Sequence, residues 1–399
     1  MKRPTPTTAI AVSTAKPIAN PIRSRLASDG LSLRGDREYA CAPMGDEATE
    51  RDGSVAAPDG IDPKPLEAWF AANVPGVDFP LRFERIAGGH SNLTYAVTDA
   101  AEQKWALRRP PLGKRLGSAH DMGREHKVVS ALGGTDVPVA PVVGLCEDDS
   151  VNGAPFYVME FVEGPILRGL AEAELFPDEG DRRAIGERVA DTLVQIHAVD
   201  PDGVGLGDLG RKEDYVARQL HRWKGQWEKS KTRELEPIDR VHEALSTRIP
   251  EQGPATIVHG DYRLDNMILT DAGEVAAVVD WELCTLGDPL ADVGLLMVYW
   301  PERGEDALAL GMPANLAPGF PSREELASRY SKRSGRDLSD LDFYVALGYW
   351  KLAIILEGVY ARYTAGGYGK VDEGVEAFAR LVERLADEAE RVERASNSA

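Results

Sequence analysis

Apolar positions recur along the chain in two rhythms. From Leu81 to Val162 the apolar runs are short, and Leu81–Ala87, Asn92–Thr98, Gln103–Arg109, Ala140–Cys146 and Pro155–Val162 read as strands. Gly88-Gly89-His90 separates the first two, and Pro110-Pro111 stops the third. One helical stretch, Ala119 to Leu132, interrupts the strands and is closed by Gly133-Gly134. After Gly164 the spacing changes to threes and fours. Arg182–His197, Lys212–Trp227, Asp239–Ile249, Asp288–Trp300, Ser322–Ser334, Leu341–Tyr363 and Asp372–Ala395 predict helices. Within that half, Met267–Thr270 and Val275–Val279 flank Asp271-Ala272-Gly273 and predict a hairpin. The expectation is an α+β chain, with a small sheet lobe over 61–162 and a larger helical lobe over 163–399.

Residues 1–60 carry no apolar periodicity and read as a tail outside the folded unit. The first 28 residues hold five basic residues and no acid, without the continuous apolar core of a secretory signal. An organellar targeting segment has a similar composition; a disordered tail is the preferred reading. A length of 399 residues suits two or three units at roughly 150 residues each. Lys plus Arg number 46 and Asp plus Glu 65, a net charge of −19, which argues against nucleic acid or an anionic membrane as partner. Cys41, Cys146 and Cys284 are too few and too scattered for a disulfide framework, so a reducing, cytoplasmic setting is expected. The most membrane-like stretch, Phe343 to Tyr363, holds Lys351 and Glu357, which suits a buried helix better than a span.

Candidate chemistry concentrates around the hairpin. In Ile257-Val258-His259-Gly260-Asp261-Tyr262-Arg263-Leu264-Asp265-Asn266, an apolar strand end delivers His259, Asp261 and, five residues later, Asn266. A second apolar run delivers Asp280 in Val278-Val279-Asp280-Trp281-Glu282. Phosphoryl transfer needs such groups: one carboxylate to orient an acceptor hydroxyl and take its proton, and an amide oxygen with a second carboxylate to hold Mg2+ against a triphosphate.

With those motifs in Gly260-Asp261 through Asn266, and Asp280-Trp281-Glu282 followed by Gly287-Asp288-Pro289 and Asp292, the chain resembles the aminoglycoside phosphotransferase and choline kinase family, which shares the protein-kinase-like fold. It is most similar to the branch related to the kinase-like domain of acyl-CoA dehydrogenase fusion proteins, over about Phe83 to Arg380. The resemblance implies Asp261 as catalytic base, Asn266 and Asp280 as Mg2+ ligands, and Asp292 as a brace for the catalytic loop. His259 is expected to orient that loop. Gly88, Gly89, Ser91 and Asn92 would cover the nucleotide phosphates. Arg108 stands where protein kinases place lysine, and Glu125 on the following helix would pair with it. Glu160 and Val162 would form the hinge that meets adenine. ATP is the expected donor, with GTP as the alternative. Trp281-Glu282 in place of Phe-Gly argues against an activation-loop flip.

The acceptor is less constrained. Arg211 to Arg233 holds eight basic residues against three acids, with Trp223 and Trp227 four apart on one helical face. That segment is either an amphipathic face with solvated charges or a cationic rim for an anionic substrate. The second reading places Arg218, Arg222, Trp223, Trp227 and Glu282 near the acceptor, which would be a hydroxyacyl-CoA or similar metabolite. The alternatives are an aminoglycoside, choline or homoserine kinase, and a nucleotide-binding module without turnover.

Overall fold

A computed structural model describes residues 57–86, 92–112, 121–303, 305, 313–364 and 373–396. The smaller lobe opens with a helix absent from the strand expectation, α1 (Pro63–Asn73). Asp62 precedes it and Pro63 occupies its first turn, a position where proline's fixed φ helps. Leu66 and Phe70 form its buried stripe. Then follow β1 (Arg82–Arg85), β2 (Leu93–Thr98), β3 (Lys104–Arg109), α2 (Met122–Leu132), β4 (Val142–Cys146), the single turn α3 (Asp149–Asn152) and β5 (Phe156–Glu160). The strands form one antiparallel sheet in the order β1-β2-β3-β5-β4.

Alternation along β3 decides what each face does. Trp105 and Leu107 join Tyr95, Val97, Phe156 and Val158 in a core with Leu66 and Phe70. Trp69 of α1 lies edge-on to Phe156 at 5.1 Å, and Phe70 lies edge-on to Trp105 at 5.8 Å. Arg108 points the other way, towards α2 and the larger lobe. Asp121 caps α2 by accepting the Arg124 N–H at 3.0 Å. The buried face of α2 (Met122, Glu125, Val128, Val129, Leu132) carries one charge, Glu125. The folded part starts slightly earlier than expected. Tyr95 Oη donates to the Asp59 carbonyl at 2.6 Å, and Arg109 donates to the Gly60 carbonyl.

The larger lobe contains α4 (Leu170–Ala173), α5 (Glu179–Ala198), α6 (Tyr215–Ser230), α7 (Glu236–Thr247), α8 (Leu290–Val298), α9 (Arg323–Ser334), α10 (Leu341–Thr364) and α11 (Glu373–Ser396). Two small ladders sit among them: β6 (Thr256–Val258) with β9 (Thr285–Gly287), and β7 (Met267–Leu269) with β8 (Val275–Val278). The hairpin is where the sequence places it. Strand β9 is three residues long and offers no alternation to read. Helix α6 starts at Tyr215 rather than Lys212 because Asp214 takes a left-handed backbone, φ 53°.

Helix α10 packs against α8 and α11 in the middle of this lobe. Its two interior charges face protein. Glu357 accepts from the Thr232 N–H and hydroxyl, both at 2.7 Å, and Lys351 donates to the Gly260 carbonyl at 3.0 Å. Where α8 crosses α10, a Cβ on Gly294 would stand 2.5 Å from the Tyr344 carbonyl. Gly294→Ala is therefore expected to cost about 1–3 kcal/mol by forcing the helices apart, read as a shift in the urea midpoint.

Candidate active site

Strand β6 ends at Val258, and the next two residues are held by an aspartate from α8. Asp292 Oδ2 accepts from the His259 N–H at 2.7 Å, and Oδ1 accepts from the Gly260 N–H at 2.9 Å. His197 of α5 stands 3.3 Å from Asp292 Oδ2. Burial alone would raise the Asp292 carboxyl, but His197 and the backbone donors hold it below the usual carboxylate range. Asp292, expected to brace the catalytic loop, thus bonds the backbone at 259 and 260.

His259 joins the two chemical halves of the site. Its Nε2 lies 3.1 Å from the Val279 carbonyl, which can only accept, so Nε2 carries the proton. Its Nδ1 then accepts the Asp261 N–H at 3.3 Å. The ring is buried, and its two bonds tie the Val279 carbonyl to the Asp261 N–H.

A single 3₁₀ turn, Leu264–Asn266, brings Asn266 back to Asp261. Asn266 Nδ2 donates to the Asp261 carbonyl at 2.9 Å and to Asp261 Oδ2 at 3.0 Å. The Asn266 carbonyl accepts from the Val279 N–H at 3.0 Å, so Asn266 and Asp280 sit side by side at the open end of the β7–β8 hairpin. Asp280 adopts a left-handed backbone at φ 68°, uncommon outside glycine and concentrated at functional positions. An amide oxygen and a carboxylate are hard donors suited to Mg2+, which takes one or two protein ligands and completes its shell with phosphate and water. Among the described residues no group of three His, Cys, Asp or Glu is placed to hold a metal ion.

Arg108 and Glu125 form the expected pair, Nε to Oε1 at 2.8 Å. Arg108 also reaches Asp280 Oδ1 at 2.5 Å and stands 3.9 Å from Glu282. Burial works against the guanidinium charge, but Glu125 and Asp280 outweigh it and hold its pKa above the ordinary arginine value. Arg108 is therefore committed to carboxylates on both lobes, a tighter engagement than a phosphate grip alone. Glu282, expected near the acceptor, faces the smaller lobe instead: Asn92 Nδ2 donates to its Oε2 at 2.9 Å. This correction follows from the 3₁₀ turn after Asp280, which swings Glu282 under the sheet. Gly88, Gly89 and Ser91 lie outside the described residues; Asn92 is buried beside Glu125 and Glu282. At the hinge, the Glu160 N–H is spent on the Pro141 carbonyl at 2.8 Å, while Val162 is half-buried two residues on.

Asp261 opens into a cavity of about 310 Å³. Arg263 contributes its guanidinium, 3.6 Å from Asp261 Oδ2 and over the Tyr299 ring. Tyr299 lies beside the same carboxylate; burial and Asp261 push its phenol well above the ordinary range. Much of the remaining lining is aliphatic, with Leu352, Ile355 and Leu356 of α10 and Leu381 and Leu385 of α11. None of these was singled out in the sequence, although Arg263 stands inside the motif.

The basic segment is divided by its helix. Trp227 is fully buried in the α6–α7–α10 core and cannot touch a substrate, a correction that follows from its place on the inner face of α6. Trp223 is half-buried, with the Lys351 ammonium 5.6 Å from its ring. Arg222 is exposed and stacks on Trp223 at 5.4 Å, and Arg218 donates to the Arg211 carbonyl at 2.6 Å. Several other cations of the segment meet acids, Lys224 with Asp239 and Lys212 with Asp202 among them, so the rim is less positive than its composition suggests.

Comparison with known proteins agrees with this geometry. Residues 82–326 match the model of the phosphotransferase enzyme family. Acyl-CoA dehydrogenase family member 10 of Mus musculus is 36% identical over 78% of this chain, and member 11 of Homo sapiens is 34% identical over 82%. The chain spans 29% and 42% of those proteins, less than half of each. A solved structure from Ralstonia eutropha, provisionally named an aminoglycoside phosphotransferase, is 33% identical with a TM-score of 0.72, covering 84% of this chain and 98% of that one. Aminoglycoside 2′-phosphotransferase-IIIa, solved with GDP, shares the fold at 16% identity and a TM-score of 0.56, over 81% of this chain and 98% of its own. The two lobes are thus those of the protein-kinase-like fold, and the chain belongs to the phosphotransferase enzyme family.

Proposed function

We propose that this protein is an ATP-dependent kinase that phosphorylates the hydroxyl of a hydroxylated acyl metabolite, of hydroxyacyl-CoA class. The observation that carries the reading is that Asp261 faces a cavity lined largely by aliphatic side chains. An aminoglycoside is a polycation and asks for a carboxylate-rich cleft, whereas here Asp265 and Glu305 are already paired with Arg263 and Arg323. An alkyl chain against Leu352, Ile355 and Leu385 gains from burial at about 25 cal/mol per Å². The names of the mammalian relatives, acyl-CoA dehydrogenases, support the same class.

In this reading the acceptor oxygen bonds to the γ-phosphorus as the bond from that phosphorus to the β–γ bridging oxygen breaks. The acceptor proton passes to Asp261, and ADP leaves. Asn266 fixes the Asp261 carboxylate, and Arg108 positions Asp280 against the smaller lobe. Asn266 and Asp280 would hold Mg2+, which supplies neutralisation of the triphosphate charge. Arg222, exposed on α6, is suited to a phosphate of the CoA moiety.

The test is phosphate transfer from ATP and from GTP across hydroxyacyl-CoA, amino-alcohol and aminoglycoside acceptors. Turnover confined to the aminoglycosides would reject the acyl assignment. A second measurement examines the rim: Arg218→Ala with Arg222→Ala is expected to raise the KM for a CoA-linked acceptor about fivefold, as for loss of roughly 1 kcal/mol of exposed charge pairing, and to leave the KM for ATP unchanged. Unchanged acceptor KM would return α6 to a solvated face.

A further inference from the structure

Lys351 lies half-buried on α10, between Trp350 and Ala353 of the core, where an ammonium is costly. Its Nζ donates to the Gly260 carbonyl at 3.0 Å. That carbonyl belongs to the peptide unit whose N–H is Asp261's, and this N–H is held by His259 Nδ1. The peptide plane immediately before the catalytic carboxylate is therefore fixed at both of its polar groups, by α10 on one side and by the His259 ring on the other.

The geometry needs such a fixture. Gly260 has φ +87°, and a Cβ there would come within 2.9 Å of the Leu283 carbonyl, so the chain turns sharply just ahead of Asp261. A glycine peptide is also the unit most free to rotate. Trp223 covers Lys351 on the α6 side, and a void of about 20 Å³ bounded by Lys351, Trp223, Gly260 and Asp292 is too small for any substrate. Burial pulls the ammonium's pKa below its ordinary value, while Asp261 and Asp292 oppose the fall.

We propose that Lys351 is a positioning residue for phosphate transfer: by anchoring the Gly260 carbonyl it sets the direction in which Asp261 presents its carboxylate to the acceptor hydroxyl. The inference rests on Asp261 being the base, and the experiment separates the two. Lys351→Met keeps the length and apolar stem but loses the donor. Lys351→Arg keeps a donor, with the adjacent void to take its extra bulk. The full chain is assayed with Mg-ATP and 3-hydroxybutyryl-CoA, beside Asp261→Asn, with melting temperatures and ATP affinity measured on each.

The expected result is that Lys351→Met lowers kcat about 10–100-fold, the scale of a misplaced catalytic group. ATP affinity, acceptor KM and melting temperature stay at wild-type values, and Lys351→Arg recovers most of the rate. Wild-type kcat in Lys351→Met, with Asp261→Asn slow, would overturn the role of Lys351 and leave the base assignment standing. Equal losses in the Met and Arg variants, accompanied by lowered melting temperatures, would also overturn it and assign Lys351 to packing. Full activity in Asp261→Asn would overturn the base assignment itself, and with it the positioning role.

Discussion

Asp261→Asn is expected to slow phosphate transfer by about 10²–10⁴, the usual contribution of a general base, without loss of folding or of nucleotide binding. The substitution is nearly isosteric. The amide oxygen can still accept from Asn266 Nδ2, and the backbone contacts to His259, Asn266 and Lys351 do not involve the side chain. What disappears is the capacity to receive the acceptor proton. Initial rates with a responsive acceptor, together with calorimetric binding of Mg-ATP, distinguish this from a general defect. A variant that turns over at the wild-type rate would overturn Asp261 as the base, whereas background rates in both proteins, with Mg-ATP still bound, would leave a nucleotide-binding module as the better account.

Arg108→Met is the second large effect, and it falls on stability. Arg108 pairs Glu125, which is 2% exposed, with Asp280 across the lobes. Removing the arginine leaves a buried carboxylate without its cation, a loss of about 3–5 kcal/mol. The deficit is expected to depend on pH in a stated sense. Burial already holds the folded-state pKa of Glu125 above its ordinary value, with Arg108 opposing the rise, and loss of that cation raises it further. The variant therefore loses stability as pH rises through that pKa and recovers part of it as pH falls and Glu125 is protonated. Urea unfolding of both proteins at pH 7 and at pH 5 measures the difference. An equal deficit at both pH values would show that the loss comes from packing. Lys at this position should restore the charge but not both contacts, since one ammonium cannot present the forked donors that meet Glu125 and Asp280 together.

The parts of this molecule that declare themselves in the sequence are those where one residue type has one use. Short apolar runs around Trp105 and Leu107 mark the sheet, and Gly133-Gly134 closes α2 where the sequence places its end, while its start falls at Met122 after the Asp121 cap rather than at Ala119. The cluster at 259, 261, 266 and 280 is legible because strand ends deliver its members at fixed short spacings. What escapes is whatever depends on distant partners. Helix α1 is short, and its stripe of Leu66 and Phe70 gains meaning only from the sheet it covers. Trp223 and Trp227 look alike in the sequence, yet one turn of helix places the first over Lys351 and the second in the core. Glu282 reads as a substrate group until its turn carries it to Asn92. Lys351 and Glu357 read as charges on an apolar helix, with no local sign that each answers a backbone donor or acceptor more than 90 residues away.

Part of the aliphatic wall of the cavity at Asp261, Leu352 through Leu385, lies beyond residue 326 where the match to the phosphotransferase family ends, while Leu167, Leu264, Leu283 and Val298 lie within it. If that cavity takes the acceptor, as proposed, one side of its wall is encoded downstream of the residues around Asp261 and the other side among them. On that reading, a chimera that receives a relative's last two helices would shift its preference among alcohols without exchanging the cluster at 261, 266 and 280, apart from the one anchor that α10 extends to Gly260.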